Sequence, residues 1–221
     1  MTAVATISLI STNVALPSYL CERHGALIES GIRKQPVTSE TVAVSTTNIG
    51  GDGQGDLVAH GGPEKAVYAY PSEHWGPWTE ELKPAQPYGP GSFGENLSLA
   101  GMLEDEACIG DIWRWGEVRL QICQPRYPCY KLAEVLHRPG VVKAMVENGR
   151  TGWYFRVLTP GIAPTSGPIE LESRDPAGVT VTMAHTARLP GAPRALVERV
   201  TGVDALASRL KQELVKTLAH G

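Results

Sequence analysis

Residues 113–122 read Trp113-Arg114-Trp115-Gly116-Glu117-Val118-Arg119-Leu120-Gln121-Ile122. Val118, Leu120 and Ile122 alternate with Arg119 and Gln121, the period-two pattern of a strand with one buried face. The Trp115-Gly116-Glu117-Val118 junction reads as the turn of a hairpin. Similar short runs recur at 6–10, 41–45, 65–69, 111–115, 152–158 and 168–172, separated by turn-rich segments at 50–55, 61–63 and 87–94. The chain carries 24 glycines and 17 prolines, roughly a fifth of its residues against an average near 12 per cent. Many short strands joined by long loops predict a mostly β fold, a barrel or a sandwich. Helices are expected at 72–82, with Ser72 as N-cap, and at 139–147.

Beyond Arg174-Asp175-Pro176-Ala177-Gly178 the period changes. From Asp204, an expected N-cap, Leu206, Leu210, Leu214 and Leu218 recur every four residues, while Arg209, Lys211, Glu213 and Lys216 lie off the stripe. With 182–187 and 195–200 this predicts a small helical unit. The expected division is a β domain over 1–175 and a helical appendage over 176–221 that docks on the β domain or on another copy.

Composition narrows the partners. The 221 residues are 42% hydrophobic and 19% charged, which excludes a disordered chain. Such a length buries roughly 70 per cent of the unfolded surface without disulfides or a structural metal. Twenty basic against 23 acidic residues give a net charge of −3 with no long single-sign run, so nucleic acid is not an expected partner. No apolar run of membrane-spanning length occurs, and no basic residue precedes Arg23; neither a membrane span nor a secretory leader is expected. The expected compartment is the cytoplasm, where Cys21, Cys108, Cys123 and Cys129 would stay free thiols.

Common cofactor motifs fail on inspection. In Gly51-Asp52-Gly53-Gln54-Gly55 the third glycine of a dinucleotide fingerprint comes one residue early and no helix is expected to follow. Pro90-Gly91-Ser92-Phe93-Gly94 lacks the first glycine of a nucleophile elbow. Cys21 and His24 have no matching second ligand pair. The chain therefore shows no flavin, nicotinamide or cluster site of its own.

One segment carries chemistry. Gln124-Pro125-Arg126-Tyr127-Pro128-Cys129-Tyr130-Lys131-Leu132 follows the best-defined strand, is stiffened by two prolines, and flanks a thiol with Arg126 and Lys131. Positive neighbours suit a cysteine to act as nucleophile, redox centre or soft metal ligand. Local context alone leaves Cys129 open between a reactive thiol and an ordinary loop cysteine. Cys108 and Cys123 read as small buried apolar groups, and the five tryptophans as core or interface residues.

The segments Gly53-Gln54-Gly55-Asp56-Leu57-Val58-Ala59-His60-Gly61-Gly62-Pro63-Glu64-Lys65, Gly91-Ser92-Phe93-Gly94-Glu95-Asn96-Leu97, Ile109-Gly110-Asp111, Gln124 to Leu132 and Gly149-Arg150-Thr151-Gly152-Trp153 resemble, in this order, the MOSC family. These domains are similar to the C-terminal part of molybdenum cofactor sulfurase, and the nearest resemblance is to the stand-alone bacterial YiiM type. The resemblance implies a MOSC-type β-barrel with a few peripheral helices, and a molybdenum-pterin cofactor whose metal is ligated by Cys129. It further implies that Lys34, His60, Gly61, Gly62, Lys65, Asn96, Arg126 and Lys131 bind the cofactor, with Cys129, His60 and Asn96 as the catalytic set. Asp56, four residues before His60, reads either as its orienting partner or as a turn-forming aspartate.

The activity implied is reduction of N-hydroxylated compounds, such as hydroxylamines or N-hydroxylated nucleobases. An external reductase would supply electrons, since the chain holds no carrier of its own. The alternative is a carrier that holds the cofactor, or sulfur as a persulfide on Cys129, without turnover. The helical tail can serve internal packing, a homodimer or the electron donor, and its leucine stripe leaves all three open.

Overall fold

In this computed structural model, which describes residues 5–56 and 61–220, the strands in chain order are β1 (Thr6–Val14), β2 (Ser18–Arg23), β3 (Ala26–Ser30), β4 (Gln35–Pro36), β5 (Thr41–Val44), β6 (Val67–Pro71), β7 (Leu97–Ala100), β8 (Ile112–Trp115), β9 (Val118–Pro125), β10 (Trp153–Thr159), β11 (Gly161–Pro164) and β12 (Gly167–Ser173). Seven of them close into a barrel in the order β12-β8-β9-β10-β6-β7-β1, with β1 pairing back onto β12. Closure leaves the ring of seven barrel strands without a terminal edge strand of its own. The mostly β, barrel-type fold expected from the sequence is the fold observed. Every barrel pairing is antiparallel except β6 with β7, whose connection carries α1 (Trp75–Leu82), as a parallel pair requires.

The alternation at 118–122 is realised. Val118, Leu120 and Ile122 are fully buried inside the barrel, β8 and β9 pair as a hairpin, and Gly116 takes the turn at φ +60°. Strand β6 is buried along its whole length for a different reason. Val67 and Ala69 join the barrel core, whereas Tyr68 and Tyr70 belong to a second cluster with Trp78, Phe93, Leu132, Val141 and Met145. That cluster lies where α1, α2 (Tyr130–Leu136) and α3 (Val141–Asn148) cover the barrel. Trp78, Trp113, Trp115 and Trp153 are core residues.

The tail forms α4 (Val181–Ala187), α5 (Arg194–Thr201) and α6 (Ser208–His220). Leu206, Leu210 and Leu214 are buried and share one hydrophobic cluster with barrel residues, so the tail docks on the β domain. Helix α6 starts four residues after Asp204, the cap expected from sequence. Its Ser208 N–H donates to both carboxylate oxygens of Glu64, at 2.9 and 3.0 Å, and Arg156 pairs with the same carboxylate at 3.0 Å. A side chain from the 3-10 turn that precedes β6, 144 residues away in sequence, thus supplies the cap. The helix expected from Ser72 is likewise a 3-10 turn over Ser72–His74 followed by α1, with no side-chain cap. Among the described residues no helix is long and apolar enough to cross a membrane.

Candidate functional site

The segment leaving β9 keeps its direction because Arg126 N–H donates to Gly152 O at 3.1 Å, beside the start of β10. Cys129 then stands immediately before α2. Sequence reading expected loop throughout this stretch; the seven residues after Cys129 are helical because Leu132 packs into the cluster outside the barrel.

Cys129 sits where two clefts meet. The first has a cavity volume of about 90 Å³ and is lined by Lys34, Asp52, Lys65, Asn96, Arg126 and Lys131, with Tyr68 and Tyr154. The second has a cavity volume of about 430 Å³ and is lined by Gly61, Gly62 and Lys65 of the barrel side and by Arg188, Arg209 and Glu213 of the tail. Lys65, Tyr127, Cys129 and Tyr154 border both. The structure therefore brings together Cys129, Lys34, Lys65, Asn96, Arg126 and Lys131, and places Gly61 and Gly62 beside the same thiol on the tail side. His60 lies outside the described residues, and so does any test of Asp56 as its orienting partner.

The floor of the first cleft is a closed polar network. The Asn96 amide donates to Asn13 O at 3.2 Å and to Asp52 Oδ2 at 2.9 Å, and its oxygen accepts from Tyr68 N–H at 3.1 Å. Both amide hydrogens are engaged, so Asn96 positions the cleft wall and does not offer a free donor to a ligand. Asp52 Oδ1 accepts from Ala15 N–H at 2.9 Å and from the buried Lys34 ammonium. Burial lowers the Lys34 pKa, against the pull of Asp52. Asp52→Asn would leave that ammonium buried without a counter-charge, at a cost of about 3–5 kcal/mol. Chemical denaturation should show this loss, and adding Lys34→Met should recover a large part of it. Strict additivity of the two changes would refute the pairing.

Glu95, fully buried, holds the adjacent turn. Its carboxylate accepts from Gly91 N–H at 2.8 Å, Phe93 N–H at 3.0 Å and Ser98 Oγ at 2.9 Å. Gly91 is required there: its φ is +78°, and a Cβ would meet Lys34 O at 2.6 Å. Burial pushes the Glu95 pKa from 4.5 to about 7. The folded state thus binds a proton that the unfolded state releases, so this group's stabilisation is complete below about pH 4.5 and is lost as pH rises through about 7. The span corresponds to roughly 3 kcal/mol. Urea denaturation at pH 5 and pH 8 should show a steeper fall for the parent than for Glu95→Gln; equal slopes would contradict the assignment.

The cations flanking the thiol in sequence are each anchored. The Arg126 guanidinium carbon lies 5.0 Å from the Tyr68 ring centroid, and Lys131 Nζ donates to Glu29 O at 3.3 Å. Cys123 contrasts with Cys129: its Sγ is sealed against Glu64 O and Tyr154 O, and burial pushes its pKa up to about 12. Cys108 is also buried. Sequence reading missed Asp52, Glu95, Tyr68 and Tyr154, together with the tail arginines. Only Asp52 left a local signal, an acid between two glycines in a segment set aside as a failed dinucleotide motif.

Residues 56–170 match the MOSC domain family. The chain is similar to the uncharacterised protein YflK of Bacillus subtilis (strain 168), 40% identical over 95% of this chain and 93% of that protein. It is also similar to a protein named reductase from Gibberella moniliformis (strain M3125 / FGSC 7600), 39% identical over 62% of this chain but only 24% of that longer protein. Its fold matches that of YiiM from Geobacillus stearothermophilus with a TM-score of 0.80 and 30% identity, over 96% of this chain and 99% of that one. With the family match extending over more than half of the sequence, and a relative alike along nearly all of it, the chain belongs to the MOSC domain family.

Proposed function

We propose that this chain is a molybdenum-cofactor-dependent reductase of N-hydroxylated compounds. MOSC domains are associated with the molybdenum cofactor, and the residues present fit that group. A single thiol suits a soft metal, and Lys34, Arg126 and Lys131 line the adjoining cleft. Cys129 would hold the metal, and the cations would hold the anionic part of the cofactor. When bound, the molybdenum pterin supplies two-electron oxygen-transfer chemistry.

The observation that carries the reading is the meeting of two clefts at Cys129. A carrier needs room for one small molecule, whereas a reductase needs room for cofactor and substrate side by side. In the reaction the N–O bond breaks, two electrons and two protons enter, and amine and water leave. Electrons come from a separate reductase. Lys65 borders both clefts, and its ammonium gives up a proton more readily than a surface lysine, because burial and the nearby Arg209 and Arg188 lower its pKa. It is the proposed proton donor at Nζ. Buried Tyr68 and Tyr154 keep their phenols protonated, since burial raises both pKa values, and they exclude water from the cleft wall.

The test is purification from cells that make the molybdenum pterin, followed by elemental analysis and assay of an N-hydroxylated nucleobase with a reduced viologen as electron donor. Near-stoichiometric molybdenum with amine formation is expected. Molybdenum without turnover on a panel of N-hydroxylated substrates would favour a carrier, and no molybdenum would overturn the proposal.

A further inference from the structure

The tail-side cleft has an excess of positive charge that the cofactor cleft does not explain. Arg188 is held in place twice: its guanidinium carbon lies 4.0 Å from the Tyr127 ring centroid, and it pairs with Glu213 at 2.9 Å. Arg209 reaches the same Glu213 at 3.4 Å with its side chain 71% exposed. One carboxylate is thus shared by two guanidinium groups, and Lys65 adds a third cation. The other acid on this wall, Glu64, is occupied by Arg156 and by the start of α6. At Lys65, burial lowers the pKa and Arg209 and Arg188 lower it further, each more strongly than Glu213 or Asp56 raises it. The cleft therefore presents a positive field at the border it shares with Cys129.

We infer that the helical tail forms the substrate entrance and selects N-hydroxylated compounds that carry a carboxylate or phosphate, which Arg188 and Arg209 receive. The inference rests on the reductase reading for its substrate class, but its charge selectivity belongs to the chain itself. A planar guanidinium pre-set by a ring and a carboxylate is suited to an oxyanion, and a cleft lined by one sign of charge concentrates the opposite sign.

The test uses the cofactor-free full chain and Cys129 as reporter. Iodoacetate and iodoacetamide alkylate a thiolate identically, forming the S–C bond as iodide leaves, and differ in that only the first is an anion. The ratio of their rates at Cys129, read by peptide mass spectrometry, should fall about threefold or more in Arg209→Glu and rise in Glu213→Gln. The same ratio at Cys21, which is only partly buried and lines neither cleft, should not move. The exposure of Arg209 makes misfolding a minor concern, and circular dichroism checks it. An unchanged ratio at Cys129 in both variants would overturn the inference. Because this assay needs neither molybdenum nor turnover, its failure leaves the reductase reading intact, and failure of that reading leaves this result unaffected.

Discussion

Cys129→Ser should yield a folded protein that no longer retains molybdenum when expressed beside the parent. Cys129 borders both clefts and is only partly buried, so the exchange of sulfur for oxygen should change stability by no more than about 0.5 kcal/mol. The ligand field changes far more, since a hydroxyl at neutral pH is a poor donor to a soft metal. Altering partners beyond the ligand shell alone costs about 10–100-fold in metal affinity, and losing the ligand should exceed that. The measurement is molybdenum per chain with the melting temperature recorded alongside. Cys123→Ala is the matched control, because that thiol is enclosed at the barrel wall and should leave metal content unchanged. Equal molybdenum in the parent and Cys129→Ser would remove Cys129 from the proposed metal site.

A chain truncated to residues 1–175 should fail to fold. Val179, Val181, Ala184, Val197, Val200, Leu206, Leu210 and Leu214 lie in the same cluster as the barrel's Ile7, Leu120 and Trp153. Each large aliphatic side chain contributes about 1.5–3 kcal/mol when fully buried. Even if half of that burial is internal to the tail, the remainder rivals the roughly 5–15 kcal/mol of net stability a domain possesses. Polar ties would go as well: Ala207 N–H donates to Cys123 O at 2.9 Å, and Val181 N–H donates to Ala107 O at 2.8 Å. Soluble yield, circular dichroism and a cooperative melting transition decide the matter. A soluble 1–175 chain that melts cooperatively would show the barrel to be independent of its tail.

The sequence by itself determined most of the strand pattern and the tail's apolar stripe, because each is written in a short window. Alternation at 118–122 needs only the two faces of a strand, and Leu210 and Leu214 need only the helical repeat; all five residues are buried as that periodicity requires, whereas Leu206 is buried ahead of α6. Shorter or less regular elements escaped the same test. Strand β7 is too short and too uniformly buried to alternate. The β2–β3 hairpin leaves most of its residues exposed or half-exposed, so little apolar pattern marks it. Tertiary structure alone decided the rest. Barrel closure pairs Thr6 with Glu170, the start of α6 depends on Glu64, and the buried cation Lys34 finds Asp52 and, through it, Asn96. The second cleft at Cys129 likewise exists only once Arg188, at the end of α4, and α6 stand against the barrel. Hydrophobic periodicity is local, whereas a buried charge or a cavity wall is satisfied by whichever residue the completed fold brings near, and sequence separation carries no record of that meeting.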